Sequence, residues 1–199
     1  MVARDRSLVS AGRISRPAEV KVWDPVIRVF HWTLVACFFL AWATGDEIQW
    51  LHKRIGYIVI ALVISRVVWG LVGSRQARLA DFVPGPRRFL DYCRDLVSFR
   101  AKRHLGHNPA GGAMIVALLL MLAVIGGSGY LMTTDMFWGV GWMESLHETA
   151  VNVTVGLVCL HVAGVVITSL CHRENLIRAM ITGRKRVETD HGTTVAATD

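Results

Sequence analysis

The sequence predicts an all-α integral membrane protein: a bundle of four transmembrane helices with both termini in the cytoplasm. Three observations carry that expectation. The chain is 53% hydrophobic and only 19% charged, with a mean hydropathy of +0.42, which is too apolar for an ordinary soluble domain. It contains four apolar runs, each near the ~20 residues that cross ~30 Å of hydrocarbon at ~1.5 Å per residue. Its basic residues fall almost wholly on one side of those runs, as the positive-inside rule requires.

The first run is roughly Val26–Thr44. A basic leader, an apolar core and "AWATG" also fit a cleavable signal peptide. The leader is unusually long for that, and His31 and Trp32 sit inside the apolar stretch, so a retained span is the better reading. The second run is Ile55–Val72. After it, "PRRFLDYCRDLVSFRAKRH", about residues 86–103, repeats Phe89, Cys93 and Leu96 at helical spacing, joined by Leu90 and Val97, with a basic opposite face. It reads as an amphipathic helix lying on the inner leaflet or packing on the bundle. The third run, Gly111–Met132, opens with "HLGHNPAGG", whose Pro109 suits a helix's first turn. The fourth is Ala150–Leu170. Residues 1–20 read as a disordered basic arm, 21–186 as the four-helix domain and 187–199 as a polar tail.

Nineteen of the 22 Lys and Arg residues lie at or before Arg28, in the loop Ser74–Ala110, or after the fourth run. The exceptions are Lys53, Arg54 and Arg66, and the loop Thr133–Glu148 has none. Both termini and the long loop are therefore cytoplasmic. The formal charge of +7 is a signal of topology and lipid headgroups; it needs no nucleic acid to explain it. The four cysteines, Cys37, Cys93, Cys159 and Cys171, form no C-x-x-C pair and no C-x-x-C-H signature. They read as packing residues, which argues against disulfides, zinc and covalent c-type haem.

Ionisable groups inside a membrane are costly and tend to be functional. Four histidines fall in or beside the runs: His31, His52, His147 and His161. His147 and His161 stand fourteen positions apart, within ~40° of a whole number of turns and ~21 Å along the axis. Both imidazoles thus face one side of the last helix at two membrane depths. Depth pairs His52 with His147 near the outer face and His31 with His161 near the inner face. Each pair suits one haem iron held by two neutral imidazoles, an arrangement that favours electron transfer over oxygen chemistry. The third run has no histidine, and its Met114, Met121 and Met132 read as packing.

Other residues fit around these centres. Gly56, Gly126, Gly127, Gly129, Gly156 and Gly164 thin the helices, either for a flat macrocycle or for helix contact. Arg66 is a candidate partner for an inner haem propionate, or a cation snorkelling to lipid phosphate. Lys53 and Arg54 are candidates for the outer propionates, or interfacial anchors beside Trp50. His104, His107 and His172 read as surface residues, with the first two a candidate edge of a quinone pocket.

"VWDPVIRVFHW", "LHKRIGY", "LGHNPAGG" and "LHETAVNVTVGLVCLH" resemble the bacterial cytochrome b561 family, related to the b-type cytochrome subunits of nickel–iron hydrogenases. The resemblance covers about Lys21–Arg186. It implies a four-helix inner-membrane protein with two non-covalent haems b, passing electrons between quinone and a redox partner, and it maps the family's ligands onto the same His31, His52, His147 and His161. The hydrogenase subunits usually carry an additional helix for which this chain shows no run.

The expected function is transmembrane electron transfer by a di-haem b-type cytochrome, between the quinone pool and a periplasmic partner such as a c-type cytochrome. A hydrogenase or another periplasmic oxidoreductase is the alternative partner, and a homodimer is open. The loop acids Asp135, Glu144 and Glu148, with Phe137, Trp138 and Trp142, suit docking of a basic protein. Two rivals come from other classes. A histidine-lined metal-ion transporter needs carboxylates within its spans, and the four runs hold none. A plain membrane anchor has no use for histidines matched in depth.

Overall fold

The structure, a computed structural model, describes residues 18–21, 23–72, 85–98, 109–171 and 174–187. Helix α1 (Pro25–Thr44) starts where its sequence directs. Asp24 caps it in extended backbone, its carboxylate accepting from the Val26 N–H at 2.8 Å, and Pro25 takes the first helical position, where a missing N–H costs nothing. A short turn leads into α2 (Gln49–Val72), and an amphipathic α3 (Pro86–Val97) precedes α4 (Pro109–Leu131). A tight turn with Gly139 at φ 71° leads to α5 (Gly141–Cys171).

Helices α1, α2, α4 and α5 are each long and apolar enough to cross a membrane. An even number of crossings puts both ends of the bundle on one side. The helices outrun the apolar runs: α2 begins at Gln49 rather than Ile55, and α5 at Gly141 rather than Ala150. Hydropathy marks where hydrocarbon begins, and a helix does not have to stop there. His52 and His147 are consequently helical residues, and the outer loop shortens to the turn before Gly141.

The bundle is assembled in sequence order, α1 against α2, α2 against α4 and α4 against α5. Its core is a stripe on α2: Ile55, Val59 and Val63, packed with Leu122 of α4 and with Leu34, Cys37 and Phe38 of α1. Gly126 lets α4 approach α2; a Cβ there would lie 2.7 Å from Ile60 Cγ1, so this glycine serves helix contact. Much of the remaining apolar surface, such as Leu71 and Leu170, points outward, as a lipid-facing helix requires.

At the inner end, α6 (Leu176–Thr182) is capped by Asn175, which accepts from the Arg178 N–H at 2.7 Å. It ends at Gly183 in the left-handed conformation, φ 78°. An Arg28 nitrogen lies 2.9 Å from where a Cβ would project at Gly183. Arg28 Nη2 donates to the Ile181 carbonyl, and the Trp23 N–H to the Gly183 carbonyl at 3.2 Å. Beyond this clamp, β1 (Ala18–Lys21) and β2 (Arg184–Val187) pair antiparallel, with Lys21 opposite Arg184. Ala18–Val20 fall within the stretch expected to be a disordered arm; a four-residue strand is too short to show a period of two. Helix α3 packs on α4, with Tyr92 buried, Phe89 half-buried and Leu90 exposed. The packing face thus turns on Tyr92 as well as Phe89.

Candidate functional site

The structure brings the four histidines together in the two expected pairs. His52 of α2 and His147 of α5 have ring centroids 6.2 Å apart, with planes at 76°. His31 of α1 and His161 of α5 have centroids 6.5 Å apart, with planes at 54°. In both pairs the rings bridge helices whose backbones barely approach: α5 packs on α4 but stands off from α1 and α2. That leaves a seam between α5 and the first two helices, crossed near each end by an imidazole pair. Among the described residues, no group of three or more His, Cys, Asp or Glu gathers around either pair.

The outer pair is held by backbone. His52 Nδ1 lies 2.9 Å from the Ala41 carbonyl, in the last turn of α1, at the negative end of the helix dipole. His147 Nδ1 lies 3.0 Å from the Ile125 carbonyl of α4 and 3.1 Å from Ser128 Oγ. A carbonyl oxygen only accepts, so Nδ1 carries the proton on both rings and each Nε2 keeps its lone pair. Gly129 makes the second approach possible. A Cβ there would stand 3.1 Å from His147 Cε1, tight enough to push the ring.

The inner pair lacks such support. His31 Nδ1 is buried with no hydrogen-bond partner, and its ring meets Trp32 edge-on at 5.1 Å. Arg66 lies on the buried α2 stripe after Ile55, Val59 and Val63, only 5% exposed, so its side chain stays within the bundle and does not splay into lipid. Beside it, Pro25, Ile27, Phe30, Leu62, Ser65 and Trp69 line a groove of about 430 Å³ between α1 and α2.

The outer cations rest on aromatic rings. Lys53 Nζ sits 5.4 Å from the Trp138 ring centroid, and Arg54 Cζ 5.6 Å from that of Trp50. Trp50, Trp138 and Trp142 are exposed, forming the interfacial belt that α2, α5 and the turn before α5 share. Gly56, Gly127, Gly156 and Gly164 meet nothing within 4 Å of a Cβ. His104, His107, His172 and the side chain of Cys93 lie outside the described residues.

Reading the sequence missed Ser128, the Ala41 and Ile125 carbonyls, and the role of Gly129. A serine in an apolar helix was the one available signal, since it ordinarily bonds its own helix. Ser128 does so too, donating to the Val124 carbonyl at 2.7 Å, which leaves an oxygen lone pair facing His147.

The family model for prokaryotic cytochrome b561 matches residues 22–183. Among curated relatives, the chain is 21% identical to a "Probable Ni/Fe-hydrogenase B-type cytochrome subunit" of Rhodobacter capsulatus, over 89% of this chain and 85% of that one. It is 19% identical to the protein of the same name from Bradyrhizobium diazoefficiens, over 87% and 88%. The one from Azotobacter vinelandii is 20% identical, over 89% and 93%. The match runs through all four spanning helices and both imidazole pairs, and the chain belongs to the prokaryotic cytochrome b561 family: multi-pass inner-membrane cytochromes with haem b that take part in transmembrane electron transfer.

Proposed function

We propose that this protein carries two haems b, one held by His52 and His147 near the outer face and one by His31 and His161 near the inner face, and that it moves electrons between the quinone pool and a redox partner at the periplasmic surface. The observation that carries this reading is the pair of imidazole bridges across one seam, at centroid spacings of 6.2 and 6.5 Å. At these spacings the two rings of each pair would hold one iron between them. A bare ion would need further protein ligands, whereas a haem would need from this chain only the two histidines of each pair.

When bound, haem would supply a one-electron couple, held by His52 with His147 and by His31 with His161, and with both ligand positions filled by histidine it would favour electron transfer over oxygen chemistry. The protein's own work is to hold and insulate. The Ala41 and Ile125 carbonyls fix the tautomers of His52 and His147, so that Nε2 presents a lone pair to the seam. His147 and His161 on one continuous helix set the two centres ~21 Å apart in depth. Arg66, buried toward the inner end of α2, suits an inner propionate. Lys53 and Arg54 remain candidates for the outer propionates in spite of their seats on tryptophan.

The groove between α1 and α2 offers apolar walls, with Thr33, Ser65 and Arg66 as polar points, and suits a quinone ring and tail. At the outer surface, Asp46, Glu47, Asp135, Glu144 and Glu148 are exposed, and this acidic face suits a basic c-type cytochrome. A hydrogenase is the second partner reading. The names of its relatives, B-type cytochrome subunits of Ni/Fe-hydrogenases, favour it.

The test is transmembrane traffic. Purified protein is placed in liposomes loaded with ferricyanide, and a membrane-impermeant reductant is added outside. The expected result is a b-type difference spectrum with its α-band and loss of internal ferricyanide at a rate proportional to protein. A flat difference spectrum, or ferricyanide retained at the protein-free rate, would overturn the reading.

A further inference from the structure

Resting on that di-haem reading, the structure assigns different reduction potentials to the two centres: the outer lies below the inner, and Ser128 is a positioning residue for the outer ligand. Three contacts carry this. Both outer imidazoles donate through Nδ1, His52 to the Ala41 carbonyl at 2.9 Å and His147 to the Ile125 carbonyl at 3.0 Å. His147 shares its proton with Ser128 Oγ at 3.1 Å. On the inner side, His31 Nδ1 is buried without a partner, and no hydrogen bond to the His161 ring is found among the described residues.

A hydrogen bond from Nδ1–H to an acceptor moves electron density into the ring and makes Nε2 the stronger donor. A stronger axial donor stabilises the oxidised, more positive iron and lowers the potential. The outer centre has two such ligands and the inner none. The Ala41 carbonyl adds the negative end of the α1 dipole, acting in the same direction. All these contributions agree in sign, so the downhill direction runs from the outer face to the inner.

Ser128 is the part of this device that a side-chain substitution can remove. It is 4% exposed. Its hydroxyl proton goes to the Val124 carbonyl at 2.7 Å, with the Ile125 carbonyl at 3.1 Å as second acceptor, so toward His147 it offers a lone pair. Ser128→Ala removes an acceptor from His147 and leaves the helix backbone and the Ile125 carbonyl in place.

The experiment is optical redox titration of the purified full chain, with haem counted on the same samples. The wild type is expected to titrate as two components. In Ser128→Ala the lower component moves up and the upper stays, and Ser128→Thr, which keeps the hydroxyl, returns it toward the wild-type value. His161→Ala, which removes an inner ligand, assigns the components: the surviving centre should be the lower one. Should that variant not accumulate, the two serine variants alone decide. Equal midpoints, an upward survivor in His161→Ala, or a Ser128→Ala titration with the lower component unmoved would overturn the inference. A haem count other than two per chain defeats the di-haem reading itself, and so is told apart from a wrong ordering of two haems.

Discussion

The outer and inner imidazole pairs use the same side chain, span the same seam and differ by only 0.3 Å in centroid spacing, 6.2 against 6.5 Å. Their surroundings differ in kind. Outside, each ring is tied by Nδ1 to a carbonyl of a neighbouring helix, one of them in the last turn of α1 at the negative end of its dipole. Inside, His31 Nδ1 has no partner, and Arg66 is a buried cation on the core stripe of α2. The contrast separates two jobs. Side-chain identity and spacing put ligands across a seam; backbone groups from other helices decide how those ligands are oriented and how strongly they donate.

The largest effects should come from the ligands themselves. His147→Ala and His161→Ala should each halve the haem content measured as pyridine haemochrome, because the sites are separate. Loss of both haems from either variant would show the two sites fold together. His161→Ala with full haem content would mean the inner pair is misassigned.

Gly129→Ala comes next. Its Cβ would press on His147 Cε1 at 3.1 Å, an overpacking cost of about 1–3 kcal/mol. The outer haem should be lost on mild heating while the inner remains. Gly127→Ala, whose Cβ meets nothing within 4 Å, is the control and should behave as wild type; equal heat sensitivity in the two would remove the argument for a close fit at Gly129.

Arg66→Gln removes a buried cation near the inner end. It should lower the potential of the inner component alone, read by redox titration. A shift confined to the outer component would place Arg66 with the wrong centre.

Lys53→Ala and Arg54→Ala should matter least. Each loses a contact with tryptophan worth about 0.5–1 kcal/mol, read as a small fall in thermal midpoint with haem content unchanged. Haem loss in either would instead assign that cation to the outer propionates.

The four spans and the pairing of the histidines were legible in the sequence. Bilayer thickness and helical rise are fixed lengths, and His147 and His161 convert directly into depths on one face. Helix ends were less legible, because "QWLHKR" and "GWMESLHET" are polar stretches that stay helical beyond the apolar run. The β1–β2 ribbon left no trace, since strands of four residues joined across the whole chain have no local pattern. The acceptors for His52 and His147 were hidden for a different reason. They are backbone carbonyls, and every residue has one, so only the packing of α1, α2, α4 and α5 selects Ala41 and Ile125. Ser128 and Gly129 gain their meaning in the same way, from the ring that α5 brings to them.

The central claim is that one chain holds two haem irons between imidazoles of its first, second and last spanning helices. The ratio of haem b to polypeptide in the purified wild-type protein, from pyridine haemochrome and amino-acid analysis on one sample, tests it most directly. A ratio near two is the expected value. A ratio near one, or haem that washes away with the detergent, would contradict it.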